Sequence, residues 1–171
     1  IELKPDYYQA YSNCGAAQQK LNCFDDALKS YDSAIALKPD YAEAYNNRGF
    51  VLQDLNRFDE ALESYDKALA INPDYEFLAG IRLHTKMHLC DWSGLSDQLH
   101  RLESAVVDSR KVVIPFTLIG LIDKPELQYL AAKIYQEAKH PITDILGDLV
   151  KRVSDGKIRV GYYSADFHNH A

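Results

Sequence analysis

The side chains with the clearest chemical potential lie close to the end of the sequence. His168 and His170 follow shortly after Asp166, and an apolar run, residues 158–164, precedes all three. Such a run is typical of a β-strand, and open α/β sheets bind their ligands at the carboxyl ends of strands. Histidine is the side chain that most often acts as a general base, so this polar cluster could carry chemistry. On these residues alone, a polar surface loop is the favoured interpretation of His170.

A second group of potential ligands lies in the middle of the chain. His84 and His88 are four residues apart with Cys90 close behind, a spacing that could hold zinc on one face of a helix. No fourth ligand is evident, and Thr85 stands where the helical motif of zinc proteases has its glutamate. We therefore interpret both histidines as surface or packed side chains and predict no metal site.

The elements that carry these residues are organised by an internal repeat. Residues 39–72 match residues 5–38 at 19 of 34 positions, which is far more than chance allows. In each copy, apolar and small residues recur at helical spacing along two successive segments. A period of 34 residues with this pattern predicts the helix-turn-helix unit of a tetratricopeptide (TPR) array. Such units stack into a solenoid because one unit cannot bury its own apolar face.

Single residues of the repeat have identifiable structural roles. Gly15 and Gly49 interrupt the first helices, where glycine costs about 1 kcal/mol relative to alanine. We therefore predict that the paired helix approaches closely at both positions. Asn22 and Asn56 are predicted in the turn between the two helices. Pro39 separates the two units, because proline lacks the N–H that a continuing helix needs.

Beyond the two repeats the pattern becomes irregular. A third unit starts in register but carries Leu83 at the glycine position and Trp92 at a phenylalanine position, and Trp92 is interpreted as a core residue. We then predict a helix over 93–107, a buried connector over 112–122 and an amphipathic helix from Glu126 to about residue 140. The predicted divisions are 1–4 (tail of a truncated TPR), 5–38 and 39–72 (TPRs), 73–107 (degenerate helix pair), 108–154 (helical connector) and 155–171 (first strand and loop of a truncated Rossmann-like domain).

Composition indicates a soluble globular protein, with 47% hydrophobic and 26% charged residues. A net charge of −6 argues against a general nucleic-acid binder, and no apolar run approaches the roughly 20 residues of a membrane span. The three cysteines form no CxxC motif and are interpreted as free thiols of a reducing compartment. We therefore predict a cytoplasmic protein. Since residues 1–5 resemble the end of a repeat, the chain is expected to be a fragment of a longer array.

The combination of these features resembles the bacterial O-linked N-acetylglucosamine transferase family, also called SPINDLY-type. The resemblance covers the whole chain, through the repeats, the segment KMHLCDWSGL at 86–95, residues 114–135 and the final KIRVGYYSADFHNHA. The last segment is the most specific. Its residues 161–170 match the family pattern Gly-Tyr-x-Ser-x-Asp-Phe-x-x-His.

This resemblance implies that the intact protein transfers N-acetylglucosamine from UDP-N-acetylglucosamine to a Ser or Thr hydroxyl of an acceptor protein. In the family the motif opens a pair of Rossmann-like lobes of the glycosyltransferase-B type. Its final histidine, His170 here, lies in the active site as a candidate base or substrate-positioning group. The residues that bind the nucleotide-sugar come later in the family. The fragment is therefore expected to hold no cofactor site and to be inactive alone.

The resemblance also implies a binding surface on the repeats. In the animal relatives, asparagines on the inner face of the superhelix bind the backbone of the acceptor polypeptide, and the equivalent residues here are Asn13 and Asn47. A side-chain amide suits this role because it carries both a donor and an acceptor. The alternatives are simple polar helix residues and, for the whole protein, a TPR adaptor without catalysis. We expect the first helices, 8–21 and 42–55, to line a concave groove whose polar residues are Asn13, Asn47, Ser12, Asn46, Gln19 and Gln53.

Overall fold

The computed structural model describes residues 7–141, and this part of the chain contains helices and connecting turns but no β-strand. The predicted strand over 158–164, with the rest of 142–171 and residues 1–6, lies outside the described residues. The helices are α1 (Tyr8–Lys20), α2 (Phe24–Leu37), α3 (Ala42–Asp54), α4 (Phe58–Ile71), α5 (Leu78–His88), α6 (Leu95–Val107), α7 (Pro115–Leu121) and α8 (Pro125–Lys139).

The first four helices form two antiparallel pairs of matching length. Helices α1 and α3 have 13 residues each, and α2 and α4 have 14 residues each. Each second helix begins with two carboxylates, Asp25-Asp26 in α2 and Asp59-Glu60 in α4, which interact favourably with the positive end of the helix dipole. The predicted all-α TPR solenoid of antiparallel helix pairs is confirmed for this region. The first helices end one residue earlier than the sequence predicts.

The turns inside the three helix pairs share one backbone conformation. Asn22 and Asn56 both have φ of 58°, and Cys90, at the same position of the third unit, has φ of 52°. This left-handed conformation is uncommon outside glycine, and asparagine tolerates it better than most residues. The prediction that both asparagines lie in the turns is confirmed. The third unit keeps the same turn although a cysteine replaces the asparagine.

Gly15 and Gly49 lie where each first helix meets a tyrosine ring of its partner helix. A Cβ atom on Gly15 would lie 2.9 Å from Cε1 of Tyr31, and one on Gly49 would lie 2.4 Å from Cε1 of Tyr65. Both tyrosines are completely buried. The predicted close approach is therefore confirmed, and its physical cause is that each glycine makes room for a large ring in the core.

An arginine joins each helix pair to the next one. Arg48 of α3 donates from Nε to Asp32 of α2 at 2.8 Å and from Nη1 to Ser64 of α4 at 2.7 Å. Arg82 of α5 repeats this arrangement one period later and pairs with Asp66 of α4. Their side chains are only 24% and 26% exposed. Sequence analysis missed these two residues, which we call the inter-repeat arginines, although their spacing of one repeat was visible.

The third pair departs from the repeat at its core contacts. Leu83 and Leu99 take the positions of Gly49 and Tyr65, so two medium side chains replace the glycine–tyrosine contact. Helix α6 begins at Leu95 rather than at residue 93. Trp92 therefore lies in the preceding turn and is 53% exposed, and its interpretation as a core residue is wrong.

A buried lysine stabilises the turn between α5 and α6. Nζ of Lys86 lies 3.0 Å from the carbonyl oxygen of Ser93, 3.2 Å from its Oγ and 3.0 Å from Oδ2 of Asp91. The hydrogen bonds from Ser93, with the Lys86 ammonium adding to them, lower the pKa of Asp91 to about 2. In the second repeat this position is Leu52, a core residue. The third unit thus replaces an apolar core contact with a satisfied polar cluster.

The region beyond α6 contains more helix than the sequence predicts. The apolar segment 112–122, predicted as a connector, contains α7, which begins at Pro115, where the first turn of a helix accepts proline. Before α7 the chain lies across the start of α5, and the Gly80 N–H donates to the carbonyl oxygen of Val112 at 2.8 Å. Helix α8 confirms the predicted amphipathic helix. Helices α5, α6, α7 and α8 and the residues just before α7 contribute to one apolar cluster. Its buried residues include Leu83, Leu102, Val113, Leu118 and Ile134.

Candidate functional site

Asn13 and Asn47 occupy the same position on α1 and α3. The side chain of Asn13 is exposed and that of Asn47 is half-buried. Nδ2 of Asn46 donates to Oδ1 of Asn47 at 3.2 Å. This contact uses one of the two lone pairs of the Asn47 oxygen, whereas its Nδ2 makes no hydrogen bond with residues 7–141. We call the accessible surface of α1 and α3 around these two asparagines the first-helix surface.

Ser12 and Asn46 lie beneath this surface rather than on it. They are only 2% and 7% exposed, and each lies beside the hydroxyl of the tyrosine that begins the next unit, Tyr41 for Ser12 and Tyr75 for Asn46. Burial, followed by a hydrogen bond to Glu43, raises the pKa of Tyr41 to about 12. Of the serine and three asparagines at these positions, only Asn13 and Asn47 are therefore accessible on the first-helix surface.

Gln19 and Gln53 hold the two helices of a repeat together. Oε1 of Gln53 accepts a hydrogen bond from the Tyr65 hydroxyl at 2.9 Å, and Oε1 of Gln19 accepts one from the Tyr31 hydroxyl at 3.4 Å. Nε2 of Gln19 also donates to Asp54 of the next repeat at 3.4 Å. Burial raises the pKa of Tyr31 to about 12 and so further favours the neutral hydroxyl that donates this bond. Both glutamines are half-buried.

A cleft of about 610 Å³ adjoins the first-helix surface. Its walls come from α3, α5, the turn before α5 and the last turns of α8, so no single stretch of sequence indicates it. Tyr135 of α8 packs edge to face on Phe77 with ring centroids 5.3 Å apart, and Lys139 pairs with Glu76 at 3.6 Å. The residues that line the cleft include Asn46, Phe50, Tyr75, Ile81, Tyr135 and Lys139.

The central histidines are packed against their neighbours. The ring of His88 stacks on Phe58 with centroids 4.5 Å apart, and His84 meets His88 edge to face at 4.9 Å. Burial, together with the charge of His88, lowers the pKa of His84. Among residues 7–141, no cluster of three or more metal-ligating side chains is present.

The remaining predictions concern the membrane and the catalytic histidine. No helix within the described part of the chain has both the length and the apolar character that crossing a membrane requires. His170 lies outside the described residues. Its role in catalysis therefore stays a prediction from the sequence.

Comparison with known families identifies the repeats. A tetratricopeptide repeat model matches residues 42–75, and a second TPR repeat model matches residues 20–56. No curated protein matches the chain. The two matches together cover residues 20–75, and repeats of this kind suggest a scaffold for protein–protein interaction.

Solved structures resemble the chain at the level of the fold. A crystal structure of MamA protein has a TM-score of 0.51 at 20% identity and covers 84% of this chain. Another crystal structure of MamA has a TM-score of 0.45 at 21% identity and covers 81% of this chain. The chain spans 63% and 60% of the lengths of these two proteins. At 20% identity the likeness to the first of these two structures supports the helical fold alone.

Proposed function

We propose that the helix pairs bind an extended polypeptide along the first-helix surface, chiefly through the side chains of Asn13 and Asn47. The observation that carries this proposal is their placement. They repeat at one position on neighbouring first helices and remain accessible, while the adjoining Ser12 and Asn46 are buried. An extended polypeptide carries amide groups at regular intervals along its backbone. It can therefore form hydrogen bonds with two side-chain amides that lie one repeat apart.

The chemistry of this binding would be largely independent of peptide sequence. Nδ2 of Asn47 can donate to a peptide carbonyl, while its Oδ1 already accepts one hydrogen bond from Asn46. Asn13 has Ser12 where the second repeat has Asn46, so both its donor and its acceptor stay available. Such bonds contribute about 0.5–1.5 kcal/mol each. They hold a backbone without selecting side chains, which suits a protein with many partners.

The adjoining cleft would add a limited preference at one point of the ligand. Phe50, Tyr75 and Tyr135 give it an aromatic lining, and Lys139 stands at its edge with Glu76. An apolar side chain of the polypeptide would enter between these rings. The protein would then recognise one side chain of the bound polypeptide in the cleft and bind the remainder through its backbone.

Replacing both asparagines with alanine should weaken peptide binding without unfolding the protein. Losing two backbone hydrogen bonds, about 1–3 kcal/mol in total, corresponds to a fall of roughly 5-fold to 150-fold in affinity. The measurement is fluorescence anisotropy with a labelled, capped peptide rich in Ser, Thr and Val, with thermal unfolding followed in parallel. The matched control replaces Glu63 and Lys67, two exposed residues of α4, with alanine. Equal affinity in parent and double variant would show that the asparagines are only solvated helix positions.

We also propose, as the finer function, that the intact protein transfers N-acetylglucosamine to the bound polypeptide. This proposal rests on the resemblance of residues 161–170 to the transferase motif and not on the geometry of the helices. In it the repeats select and hold the acceptor, UDP-N-acetylglucosamine is the donor substrate, and His170 acts near the attacking hydroxyl. A TPR adaptor without catalysis is the competing function, and the matched repeats are compatible with both.

Sugar transfer by a longer form of the protein separates these two functions. Residues 1–171 alone should transfer nothing, because the residues that hold the nucleotide-sugar in the family come after the motif. A form extended beyond residue 171 through a complete pair of lobes should label acceptor proteins with radioactive N-acetylglucosamine. Labelling by residues 1–171 would contradict the prediction, and an extended form that binds peptide but never labels it would favour the adaptor.

A further inference from the structure

A second cavity, of about 340 Å³, lies away from the first-helix surface, between α4, α5 and α6. Its volume falls within the range of about 300–1,000 Å³ that is usual for small-ligand pockets. The walls combine two kinds of residue. The apolar part includes Leu69, Ala79, Leu83, Leu102 and Val112, and three arginines, Arg82, Arg101 and Arg110, complete the lining.

The cavity coincides with the loss of an aromatic ring from the repeat. Tyr11 and Tyr45 occupy one position in the first two units, and Ala79 occupies it in the third. Tyr45 packs against the apolar core of the first two repeats, whereas Ala79 has only a methyl group at the same position of the third unit. Ala79 therefore leaves the α5 side of the cavity without the aromatic ring that the regular repeats carry at this position.

The three arginines give this apolar cavity a positive character. Nε of Arg82 binds Asp66 and its Nη1 binds Gln98 at 2.9 Å, which leaves Nη2 without a partner among residues 7–141. Arg110 pairs with Asp74. No carboxylate of the described residues forms an ion pair with Arg101. Two of the three guanidinium groups are thus paired with carboxylates, and the exposed Arg101 gives the lining a surplus positive charge.

We propose that this cavity binds a small aromatic carboxylate, with its ring beside Ala79 and its carboxylate among the three arginines. Aromatic rings find dispersion contacts in an apolar cavity of suitable size, as an engineered apolar cavity that binds benzene illustrates. Guanidinium groups bind carboxylates through strong charge-assisted hydrogen bonds. The repeats without the cavity carry their own aromatic ring, so the site belongs to the third unit.

Phenylpropionate is the probe that tests this site, by calorimetric titration of the 171-residue chain. It should bind saturably with one molecule per chain. Phenylpropionamide lacks the charge and propionate lacks the ring, so each should bind at least roughly tenfold more weakly. A capped peptide that ends in phenylalanine with a free carboxylate carries the same chemistry. Tighter binding of that peptide would support the site and identify its source as a polypeptide carboxyl terminus.

Two variants decide between this site and nonspecific binding. Ala79→Tyr restores the residue of the other repeats and fills the cavity, so it should abolish binding while the melting temperature stays equal or rises. Arg101→Gln should weaken binding roughly tenfold, whereas Arg57→Gln, the same change away from the cavity, should leave it unchanged. If Ala79→Tyr fails to fold, the comparison of Arg101→Gln with Arg57→Gln still tests whether the probe binds in this cavity. Undiminished binding in Ala79→Tyr or Arg101→Gln, equal binding of the amide, or no saturable binding at all would overturn the proposal.

Discussion

Replacing Gly49 with leucine should destabilise the array. The first carbon of the new side chain would already lie 2.4 Å from Cε1 of Tyr65, a ring with no exposed surface. Overpacking a core of this kind costs about 1–3 kcal/mol, and here the ring also holds a hydrogen bond to Gln53 that its displacement would break. Thermal and urea unfolding should show a melting temperature lower by several degrees.

Two further variants separate overpacking from other effects of the new residue. A Cβ atom added to Gly120 would meet no neighbouring group within 4 Å, so Gly120→Ala should leave stability unchanged or raise it slightly through helix propensity. The double variant Gly49→Leu with Tyr65→Leu copies the pair that the third unit uses, Leu83 and Leu99. It should recover part of the lost stability. An unchanged melting temperature in Gly49→Leu alone would contradict the close approach of α3 and α4.

Replacing His170 with alanine in an extended, active form of the protein should reduce sugar transfer by about 100-fold or more. This magnitude is typical for the loss of a general acid or base, and the prediction depends on the proposed transferase function. His168 is the matched control, because it occupies a variable position of the motif. His168→Ala should therefore retain most of the activity. The readout is the rate of transfer to a peptide acceptor at saturating donor, with acceptor affinity measured separately.

The pH dependence of the transfer rate, together with the KM for the acceptor, would show whether His170 is a general base or a positioning residue. A general base should lose the acidic limb of the pH–rate profile when it is replaced, whereas a positioning residue should mainly raise the KM for the acceptor. Full activity in His170→Ala would show that His170 has no role in the reaction. Loss of activity in both histidine variants would point to a structural role of the whole segment.

The helices of the regular repeats could be predicted closely because the residues that mark turns and close contacts recur at the 34-residue spacing of the two copies. Gly49, Asn56 and Pro39 each restrict the backbone or the packing at a fixed place, and the identity of two copies fixes the register. Helix ends in α1 and α3 consequently fell within one residue of the expectation. The close contact at Gly49 followed from the cost of glycine in a helix.

The less regular features depended on contacts that one sequence does not reveal. Trp92 continues a helical stripe in the sequence, but α6 begins later and leaves it in a turn. Ser12 and Asn46 looked like groove residues because they adjoin the asparagines, yet both are buried beside tyrosines of the next unit. Helix α7 forms in a segment where Pro115 and Gly120 suggested a connector. For Ser12 and Asn46 in particular, residues about 29 positions away in the sequence decide the environment.

The cleft and the cavity were missed for the same reason. The cleft joins Phe50 to Tyr135, and the cavity joins Leu69 to Val112, so neither site exists within a single repeat. The substitution of Ala79 for the repeat tyrosine was nevertheless visible in the aligned copies. Comparing a degenerate repeat with its regular neighbours can thus indicate where a new site arises.

The most direct test of the proposed binding mode measures whether Asn13 and Asn47 recognise the peptide backbone itself. The affinity of the probe peptide is compared with that of a version in which backbone amides are replaced by esters, for the parent and for the double alanine variant. The ester lacks the N–H donor and is a weaker acceptor, so the parent should lose roughly tenfold in affinity. The double variant, already lacking the amide side chains, should lose almost nothing. Equal losses in the two proteins would contradict the account, because the asparagines and the peptide backbone would then act independently.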